Sequence, residues 1–251
     1  MSKQVALVTG ASRGIGAATA RRLARDGMAV AINSHPEERM VAGAEQIAAG
    51  IRDDGGAAAV YVADISEAAA VDTMFGRCEE ELGRVGVLVS NAAVTRRAAW
   101  TEITEADWGR IVAVNLTGAF LCSQRAFADP PGEGGALVTV SSVLARVGAA
   151  DSVPYATTKA GLLGFTRSMA RALGPAGVRV NSVMPGAIRT EEELEAFPDQ
   201  AAMERETLSK QALQRRGVAE DIANVVSFLA GPDSAFITGQ TVCVDGGWVL
   251  H

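Results

Sequence analysis

The sequence predicts an α/β fold in which a doubly wound parallel sheet of about seven strands carries helices on both faces. Short apolar runs alternate with longer helical patterns along the chain. Aromatic residues make up only 5%, while Ala, Val and Gly dominate, which suits helices packed closely on a parallel sheet. With 251 residues, 48% of them hydrophobic, the chain can bury a large core, so we expect one domain over 1–251.

The elements of this fold follow one another in order. Strands end where Gly, Pro, Asn, Asp or Ser cluster, and helices begin soon afterwards. Strands are predicted over 5–8, 28–33, 57–62, 85–89, 136–141, 178–183 and 241–244. Helices are predicted from the first glycine turn to Arg25, and over 40–52, 67–82, 104–127, 155–173 and 221–229. The Gly- and Pro-rich stretch 129–135 is the expected turn before the fifth strand.

Charge and cysteine content exclude several classes of protein. The net charge of −6 gives no basic footprint, so neither a nucleic acid nor a membrane is an expected partner. Cys78, Cys122 and Cys243 lie far apart in apolar segments and are expected to be buried thiols. His35 and His251 form no cluster with them, so no metal site is expected. The first apolar run is too short for a signal peptide or a membrane span, and the expected location is the cytoplasm.

The first strand passes directly into a glycine turn and a helix, which is the order found in nucleotide-binding sites. Glycines let a pyrophosphate approach the backbone, and the helix N-terminus offers it free N–H groups. The spacing is G-x-x-x-G-x-G, and tight packing of strand on helix is the alternative explanation. The predicted cofactor contacts in this turn are Gly10, Ser12, Arg13, Gly14, Ile15 and Gly16.

The end of the second strand predicts the type of dinucleotide. An acidic residue there would bind a ribose 2′-hydroxyl and repel a 2′-phosphate. Asn33, Ser34 and His35 stand at this point instead, and the last two are expected cofactor contacts. Arg13 could reach across to a 2′-phosphate, although an ordinary surface position is the alternative. The predicted cofactor is therefore NADP(H), with NAD(H) the less favoured choice.

Small and polar residues mark the ends of the other strands. In a doubly wound sheet, ligands bind beyond the carboxyl ends of the strands, and these residues fall there. Asp64 either caps the next helix or meets the adenine amino group. The further residues assigned to the cofactor are Ile65, Asn91, Ala92, Ala93, Pro185 and Gly186.

The stretch 138–163 carries the residues that indicate chemistry. A strand ends at Ser142, and in the next helix Tyr155 and Lys159 share one face because they are four residues apart. A nearby cation lowers the pKa of a phenol from about 10, so Lys159 would make Tyr155 a usable acid while Ser142 holds a carbonyl oxygen. The alternative is an ordinary surface pair beside a turn serine.

Asn115 is a polar residue within an otherwise apolar helical pattern. A buried amide needs partners, so Asn115 either ties the helix backbone to the sheet or holds a water linked to Lys159. The neighbouring positions expected to be buried are Ile111, Val114, Phe120 and Leu121.

From 191 to 216 the chain becomes charged and loses its strand pattern. A polar, acid-rich helical insertion after a strand end would suit a mobile substrate lid over about 190–216. An ordinary solvated face is the alternative.

Together these motifs resemble those of the short-chain dehydrogenase/reductases over essentially the whole chain. The matching residues are Thr9-Gly10-x-x-x-Gly14-Ile15-Gly16, Asp64, Asn91-Ala92-Ala93, Asn115, Ser142, Tyr155-x-x-x-Lys159 and Pro185-Gly186. The resemblance implies a Rossmann fold and a catalytic tetrad made of Asn115, Ser142, Tyr155 and Lys159. Tyr155 would act as general acid in reduction and as base in oxidation, Lys159 would also hold the nicotinamide ribose, and Asn115 would anchor a relay water. Nicotinamide contacts at Ile188 and Thr190, and a homotetramer, are also implied.

Within this family the chain looks like the 3-oxoacyl-[acyl-carrier-protein] reductases, for instance in the pair Thr95-Arg96. It departs from them where they carry basic docking residues, because Glu133 and Ala176 stand there. Three glutamates at 191–193 would also repel an acidic carrier. A free small-molecule ketone is therefore favoured over a carrier-bound one, with Arg96 and Arg97 as candidate contacts for a carboxylate.

The predicted function is NADP(H)-dependent hydride transfer between the nicotinamide and a ketone or secondary alcohol. A 3-oxoacyl-[acyl-carrier-protein] reductase is the nearest alternative. A non-catalytic dinucleotide-binding regulator is the alternative from a different class, but it would need none of Ser142, Tyr155 and Lys159 together.

Overall fold

The strands of the computed structural model form one large sheet and one small one. The structure describes residues 4–130 and 134–250. In these ranges the strands are β1 (Val5–Val8), β2 (Ala29–Ser34), β3 (Ala57–Val62), β4 (Val85–Ser90), β5 (Ala136–Val140), β6 (Arg179–Pro185), β7 (Ile188–Arg189), β8 (Gly217–Val218) and β9 (Thr241–Val244). Seven strands pair in parallel in the order β3-β2-β1-β4-β5-β6-β9, and β7 pairs with β8 separately. The predicted doubly wound, seven-stranded parallel sheet is confirmed.

Helices connect successive strands of the large sheet and cover both of its faces. They are α1 (Gly14–Arg25), α2 (Glu38–Asp53), α3 (Ala68–Glu81), α4 (Glu105–Val112), α5 (Gly118–Phe127), α6 (Leu144–Val147), α7 (Val153–Leu173), α8 (Glu191–Ala196), α9 (Gln200–Lys210) and α10 (Ala219–Ala230). None of the helices in the described ranges has both the length and the apolar character needed to cross a bilayer.

The core consists of two apolar layers, one on each face of the sheet. Along the central strand β1, Ala6 and Val8 point into one layer while Val5 and Leu7 point into the other. The first layer takes its helical residues from α1, α2 and α10, and the second takes them from α3, α5 and α7. Because both faces are covered, the carboxyl ends of the strands are left for a ligand.

The predicted helix over 104–127 differs in detail from the observed one. A π-helical turn, Ala113–Thr117, separates α4 from α5 and carries Asn115 at its centre. Phe120, expected to be buried, is 46% exposed. The buried stripe of α5 instead follows Ala119, Cys122 and Ala126, at helical spacing, and Phe120 lies outside it.

Two further differences concern short or partly described segments. The β7–β8 pair was not predicted, because strands of two residues are too short to produce an alternating pattern. The predicted turn over 129–135 includes residues 131–133, which lie outside the described residues. Cys78 and Cys122 are buried thiols as expected, whereas Cys243 is only half-buried.

Candidate active site

A cleft of about 540 Å³ opens at the carboxyl ends of the central strands. Its volume lies within the range of small-molecule and cofactor sites, roughly 300–1,000 Å³. All the predicted site residues line this cleft except Ser34 and Asn115. The predicted residues that line it are Gly10, Ser12, Arg13, Gly14, Ile15, Gly16, His35, Asp64, Ile65, Asn91, Ala92, Ala93, Ser142, Tyr155, Lys159, Pro185, Gly186, Ile188 and Thr190.

The glycine turn after β1 has a backbone that only glycine adopts readily. Gly10 and Gly14 have φ angles of +61° and +56°. A Cβ atom on Gly10 would lie 2.8 Å from the Ala92 Cα, so the turn also packs against the end of β4. Asn91 fixes this contact, because its Nδ2 donates to the Thr9 and Gly10 carbonyls at 2.9 and 3.1 Å. The turn therefore presents the N-terminus of α1 to the cleft in a form that suits a pyrophosphate.

Ser34 does not reach the cleft, contrary to the prediction. Its side chain is fully buried and donates to the His35 carbonyl at 3.0 Å. Successive side chains of a strand point to opposite faces, so Asn33 and His35 lie on the cleft side instead. Asn33, which was not predicted as a site residue, accepts the Gly10 N–H at 3.1 Å and donates to the Ala63 carbonyl at 3.1 Å. It therefore holds the glycine turn against the ends of β2 and β3.

Asp64 stabilises the turn that leads into α3. Its Oδ1 accepts the Ser66 N–H at 3.0 Å and the Ser66 hydroxyl at 2.7 Å, and its Oδ2 accepts from Arg110 at 3.0 Å. Partial burial raises the pKa of Asp64, but the hydrogen bonds from Ser66 and Arg110 outweigh it and leave that pKa below its usual value. His35 Nε2 lies 3.6 Å from Asp64 Oδ2. Asp64 is thus an ionised turn residue at the cleft edge.

Ser142, Tyr155 and Lys159 meet at the floor of the cleft. Lys159 is 2% exposed, and its Nζ donates to the Val140 carbonyl at 2.7 Å. The same Nζ lies 5.5 Å from the centre of the Tyr155 ring. Ser142 Oγ accepts the Leu144 N–H at 3.2 Å and also hydrogen-bonds to Tyr155. The strand end and helix α7 thus bring a hydroxyl, a phenol and an ammonium together.

Burial dominates the ionisation of this floor. It raises the pKa of Tyr155 to about 12, and the hydrogen bond with Ser142 only partly opposes this. Burial lowers the pKa of Lys159 to about 8, opposed by the Glu192 carboxylate. The pKa of Tyr155 is therefore raised and not lowered, contrary to the expectation from the spacing of Tyr155 and Lys159. The loss of water around the phenol outweighs the opposing effect of the Arg97 cation, and the Lys159 ammonium is directed at the Val140 carbonyl.

Asn115 ties helix α7 to the loop after β4. Its Oδ1 accepts the Val94 N–H at 2.8 Å, and its Nδ2 donates to the Val94 carbonyl at 2.9 Å and to Thr158 Oγ1 at 3.2 Å. Thr158 immediately precedes Lys159, so the amide supports the position of the lysine. The partners of the amide belong to that loop and to α7, and not to the sheet.

The acidic segment, residues 190–216, contains α8 and α9 and borders the cleft. Its start is fixed by Thr190, whose Oγ1 accepts the Glu193 N–H at 3.3 Å and caps α8. Its end is fixed by Arg216, which forms a buried ion pair with Glu193. Thr190 and Ile188, the predicted nicotinamide contacts, line the cleft where this segment begins.

Helix α8 also contacts the glycine turn through its glutamates. Glu191 Oε2 accepts the Gly14 N–H at 3.1 Å. Arg13, expected to reach a 2′-phosphate, pairs with Glu195 at 3.1 Å. Arg39, which was not among the predicted residues, binds the same carboxylate with two nitrogens at 3.1 and 3.2 Å. The basic groups near the end of β2 are therefore held by a side chain of the acidic segment.

The two arginines considered for a substrate carboxylate already have acidic partners. Arg96 binds Asp107 at 2.6 Å, and Arg97 binds Asp151 at 2.7 Å. The Arg97 guanidinium also lies 4.6 Å from the centre of the Phe197 ring in the acidic segment. A substrate carboxylate bound to either arginine would therefore share the guanidinium with this acidic partner or replace it.

Several cleft residues had no signal of their own in the sequence. Arg110 and Glu192 line the cleft, and Arg39 lies beside it on α2. Glu192 belongs to the acidic run that was noted only for its charge. Arg110 meets Asp64 across 46 positions of sequence, a contact that local patterns do not reveal.

The sheet, the glycine turn and the polar floor define a dinucleotide-binding α/β oxidoreductase. A family model described as enoyl-(acyl carrier protein) reductase matches residues 10–249. The chain is 40% identical over 250 residues to a (2S)-[(R)-hydroxy(phenyl)methyl]succinyl-CoA dehydrogenase subunit of Thauera aromatica, covering 98% of this chain and 97% of that one. It is 38% identical over 254 residues to a 3-oxoacyl-[acyl-carrier-protein] reductase of a Synechocystis species, covering 100% and 98%.

A similar solved structure belongs to the same class of oxidoreductase. The structure of a short-chain dehydrogenase from Burkholderia cenocepacia in complex with NADP is similar with a TM-score of 0.90 and 38% identity, covering 98% of each chain. The chain belongs to the short-chain dehydrogenase/reductase family.

Proposed function

We propose that this protein transfers a hydride between NADP(H) and a ketone or secondary alcohol. The observation that carries the proposal is the meeting of Ser142, Tyr155 and Lys159 in a cleft that continues to the glycine turn. When bound, the nicotinamide supplies the hydride in reduction or accepts it in oxidation.

Tyr155 is the proton donor in the proposed reduction. Its pKa of about 12 keeps the phenol protonated at neutral pH. Ser142, which hydrogen-bonds to Tyr155, would hold the same carbonyl oxygen. Lys159, with a pKa of about 8, carries a proton at neutral pH and would stabilise the phenolate left after the transfer. In oxidation the same phenolate would accept the proton of the alcohol.

Asn115 acts in this proposal as a positioning residue. Both ends of its amide are engaged by Val94 and Thr158. The relay water that the family resemblance implies would therefore bind to the main chain of the π-helical turn, where the regular helical hydrogen bonding is interrupted.

The cofactor side of the cleft supports NADP(H) over NAD(H). No acidic residue stands at positions 33–35, and two guanidinium groups, those of Arg13 and Arg39, converge beside the end of β2. Guanidinium groups suit a 2′-phosphate. The NADP complex of the Burkholderia relative agrees with this choice.

A panel of free ketones with NADPH or NADH as donor tests the proposal. We expect NADPH consumption with at least one ketone, and a kcat/KM for NADPH at least about tenfold above that for NADH, because two guanidinium groups would bind the 2′-phosphate. Tight dinucleotide binding without turnover across the panel would favour a regulatory protein.

A 3-oxoacyl-[acyl-carrier-protein] reductase is the second candidate, supported by the Synechocystis relative. Ala176, at one expected docking position, ends a short 3₁₀ turn after α7. Glu133, the other position, lies outside the described residues. Turnover of carrier-linked substrates alone would favour this candidate. If only docking charge is missing, Glu133→Arg with Ala176→Arg should improve the use of such substrates.

We also propose the acidic segment as a substrate lid, because it borders the cleft and both of its ends are fixed. The family resemblance implies a homotetramer, and the short N-terminal apolar run makes the cytoplasm the expected location. Light scattering of the purified protein measures the oligomeric state.

A further inference from the structure

Three glutamates of α8 point at the part of the cleft where phosphates are expected. Glu191 accepts the Gly14 N–H, the first amide of α1, at 3.1 Å. Glu192 Oε2 lies 4.0 Å from an Arg13 nitrogen. Glu195 binds Arg13 and Arg39 together.

The Glu195 site has the geometry of an anion site. Arg39 donates two hydrogen bonds to one carboxylate, at 3.1 and 3.2 Å, and Arg13 adds a third at 3.1 Å. Guanidinium groups bind carboxylates and phosphates through the same forked geometry. Glu195 engages these three nitrogens, so a phosphate can take their hydrogen bonds only when Glu195 leaves.

The Glu195 carboxylate is exchangeable because it is exposed. Its side chain is 53% exposed, and that of Arg39 is 59% exposed. Ion pairs of this kind contribute little to stability and are screened by salt. A 2′-phosphate carries more negative charge than one carboxylate, on the order of −1.5 to −2 for a phosphomonoester at pH 7. The phosphate therefore competes well for the same two arginines.

We infer that α8 is an internal competitor of the cofactor's phosphates, with Glu195 in the position of the 2′-phosphate and Glu191 in that of the pyrophosphate. This rests on the proposed NADP(H) function. Glu195 is then a specificity-determining residue, since only a dinucleotide with a 2′-phosphate can replace its contacts with Arg13 and Arg39. A cofactor that displaces Glu191 and Glu195 also releases α8 from the glycine turn, so cofactor binding repositions the acidic segment.

Calorimetric titration with 2′,5′-ADP and with 5′-AMP separates the two roles. In Glu195→Gln we expect 2′,5′-ADP to bind roughly three- to tenfold more tightly, the scale of one or two exposed ion pairs, with 5′-AMP unchanged. In Glu191→Gln we expect both NADPH and NADH to bind roughly three- to tenfold more tightly, as measured by titration with the cofactor fluorescence as the signal. Unchanged or weaker 2′,5′-ADP binding in Glu195→Gln would overturn the inference.

Glu204→Gln is the matched control, because it removes the same charge from an exposed position of α9. It should change none of the affinities; an equal gain in Glu204→Gln would show that general charge and not the Glu195 contact is responsible. Adding Arg39→Met to Glu195→Gln should abolish the gain for 2′,5′-ADP. Turnover of the wild type is measured separately with NADPH and with NADH. Turnover with NADH alone refutes the proposed cofactor. Turnover with NADPH, together with an unchanged affinity of Glu195→Gln for 2′,5′-ADP, refutes only the competitor role of Glu195.

Discussion

Two parts of the cleft differ in what determines the charge of their side chains: the floor, with Tyr155 and Lys159, and the rim, with Arg13, Arg39 and Glu195. At the floor, Tyr155 and Lys159 are shifted mainly by loss of water, in opposite directions. At the rim, Arg39 and Glu195 are more than half exposed and Arg13 is 28% exposed, and the three side chains balance one another through ion pairs. Burial thus sets the pKa of the groups that would move a proton, whereas exposed ion pairs leave the groups that would hold phosphates free to exchange partners.

The sharpest test of the floor is Tyr155→Phe. Loss of a general acid should reduce kcat by about 10²–10⁴-fold, while NADPH affinity stays within about twofold because the phosphate side is untouched. Tyr61→Phe is the matched control, since Tyr61 is the only other tyrosine and its hydroxyl binds Glu81 away from the cleft. Steady-state kinetics and a fluorescence titration measure the two effects. Retained turnover in Tyr155→Phe would remove the acid role.

One ion pair of the acidic segment is buried like the floor of the cleft, so we expect its loss to affect stability more than the loss of an exposed pair. Arg216 and Glu193 are 7% and 9% exposed. Arg216→Met leaves a buried carboxylate without its partner and should lower the free energy of unfolding by about 3 kcal/mol. The exposed pair broken by Arg39→Met should leave the urea midpoint nearly unchanged. Equal midpoints for the two variants would contradict the distinction.

A pH profile tests the shifted pKa of Lys159. The lysine is charged below about pH 8 and loses its charge as the pH rises through that value, whereas Tyr155 stays protonated up to about 12. For ketone reduction we expect kcat/KM for the cofactor, which reports the free enzyme, to fall about tenfold per pH unit above about 8. The Lys159→Arg variant should have reduced activity. Its kcat/KM should not fall above about pH 8, because arginine keeps its charge there. A fall at the same pH in Lys159→Arg would assign it to another group.

The smallest expected effect belongs to the rim. His35, 47% exposed in the cleft, is the position where an acid would meet the ribose. His35→Asp should lower the ratio of kcat/KM for NADPH to that for NADH roughly three- to tenfold, because the carboxylate repels a 2′-phosphate and binds a 2′-hydroxyl. Ser34→Asp should instead lower thermal stability, since that side chain is fully buried. An unchanged cofactor ratio in His35→Asp would show that the preference is set elsewhere.

The sequence predicted the sheet well because its strands and helices are local patterns. It was harder to predict which side chains at the end of a strand point into the cleft. Ser34 was placed one residue from the correct face, an error that reverses the direction of a side chain. The pKa of Tyr155 was predicted in the wrong direction because spacing reveals a neighbouring cation but not the extent of burial. The contact between Arg39 and Glu195 joins residues 156 positions apart and depends on the tertiary fold alone.

The small β7–β8 pair has a consequence for how this protein can be altered. It holds the two flanks of the acidic segment together by main-chain pairing. The entropy lost on closing such an excursion grows only slowly with its length. We therefore expect a longer insertion to be tolerated in the loop 197–199 between α8 and α9, since it leaves Thr190, the β7–β8 pair and the ion pair of Glu193 with Arg216 in place. On the proposed lid function, changing the length of this loop would alter substrate range while the sheet stays intact.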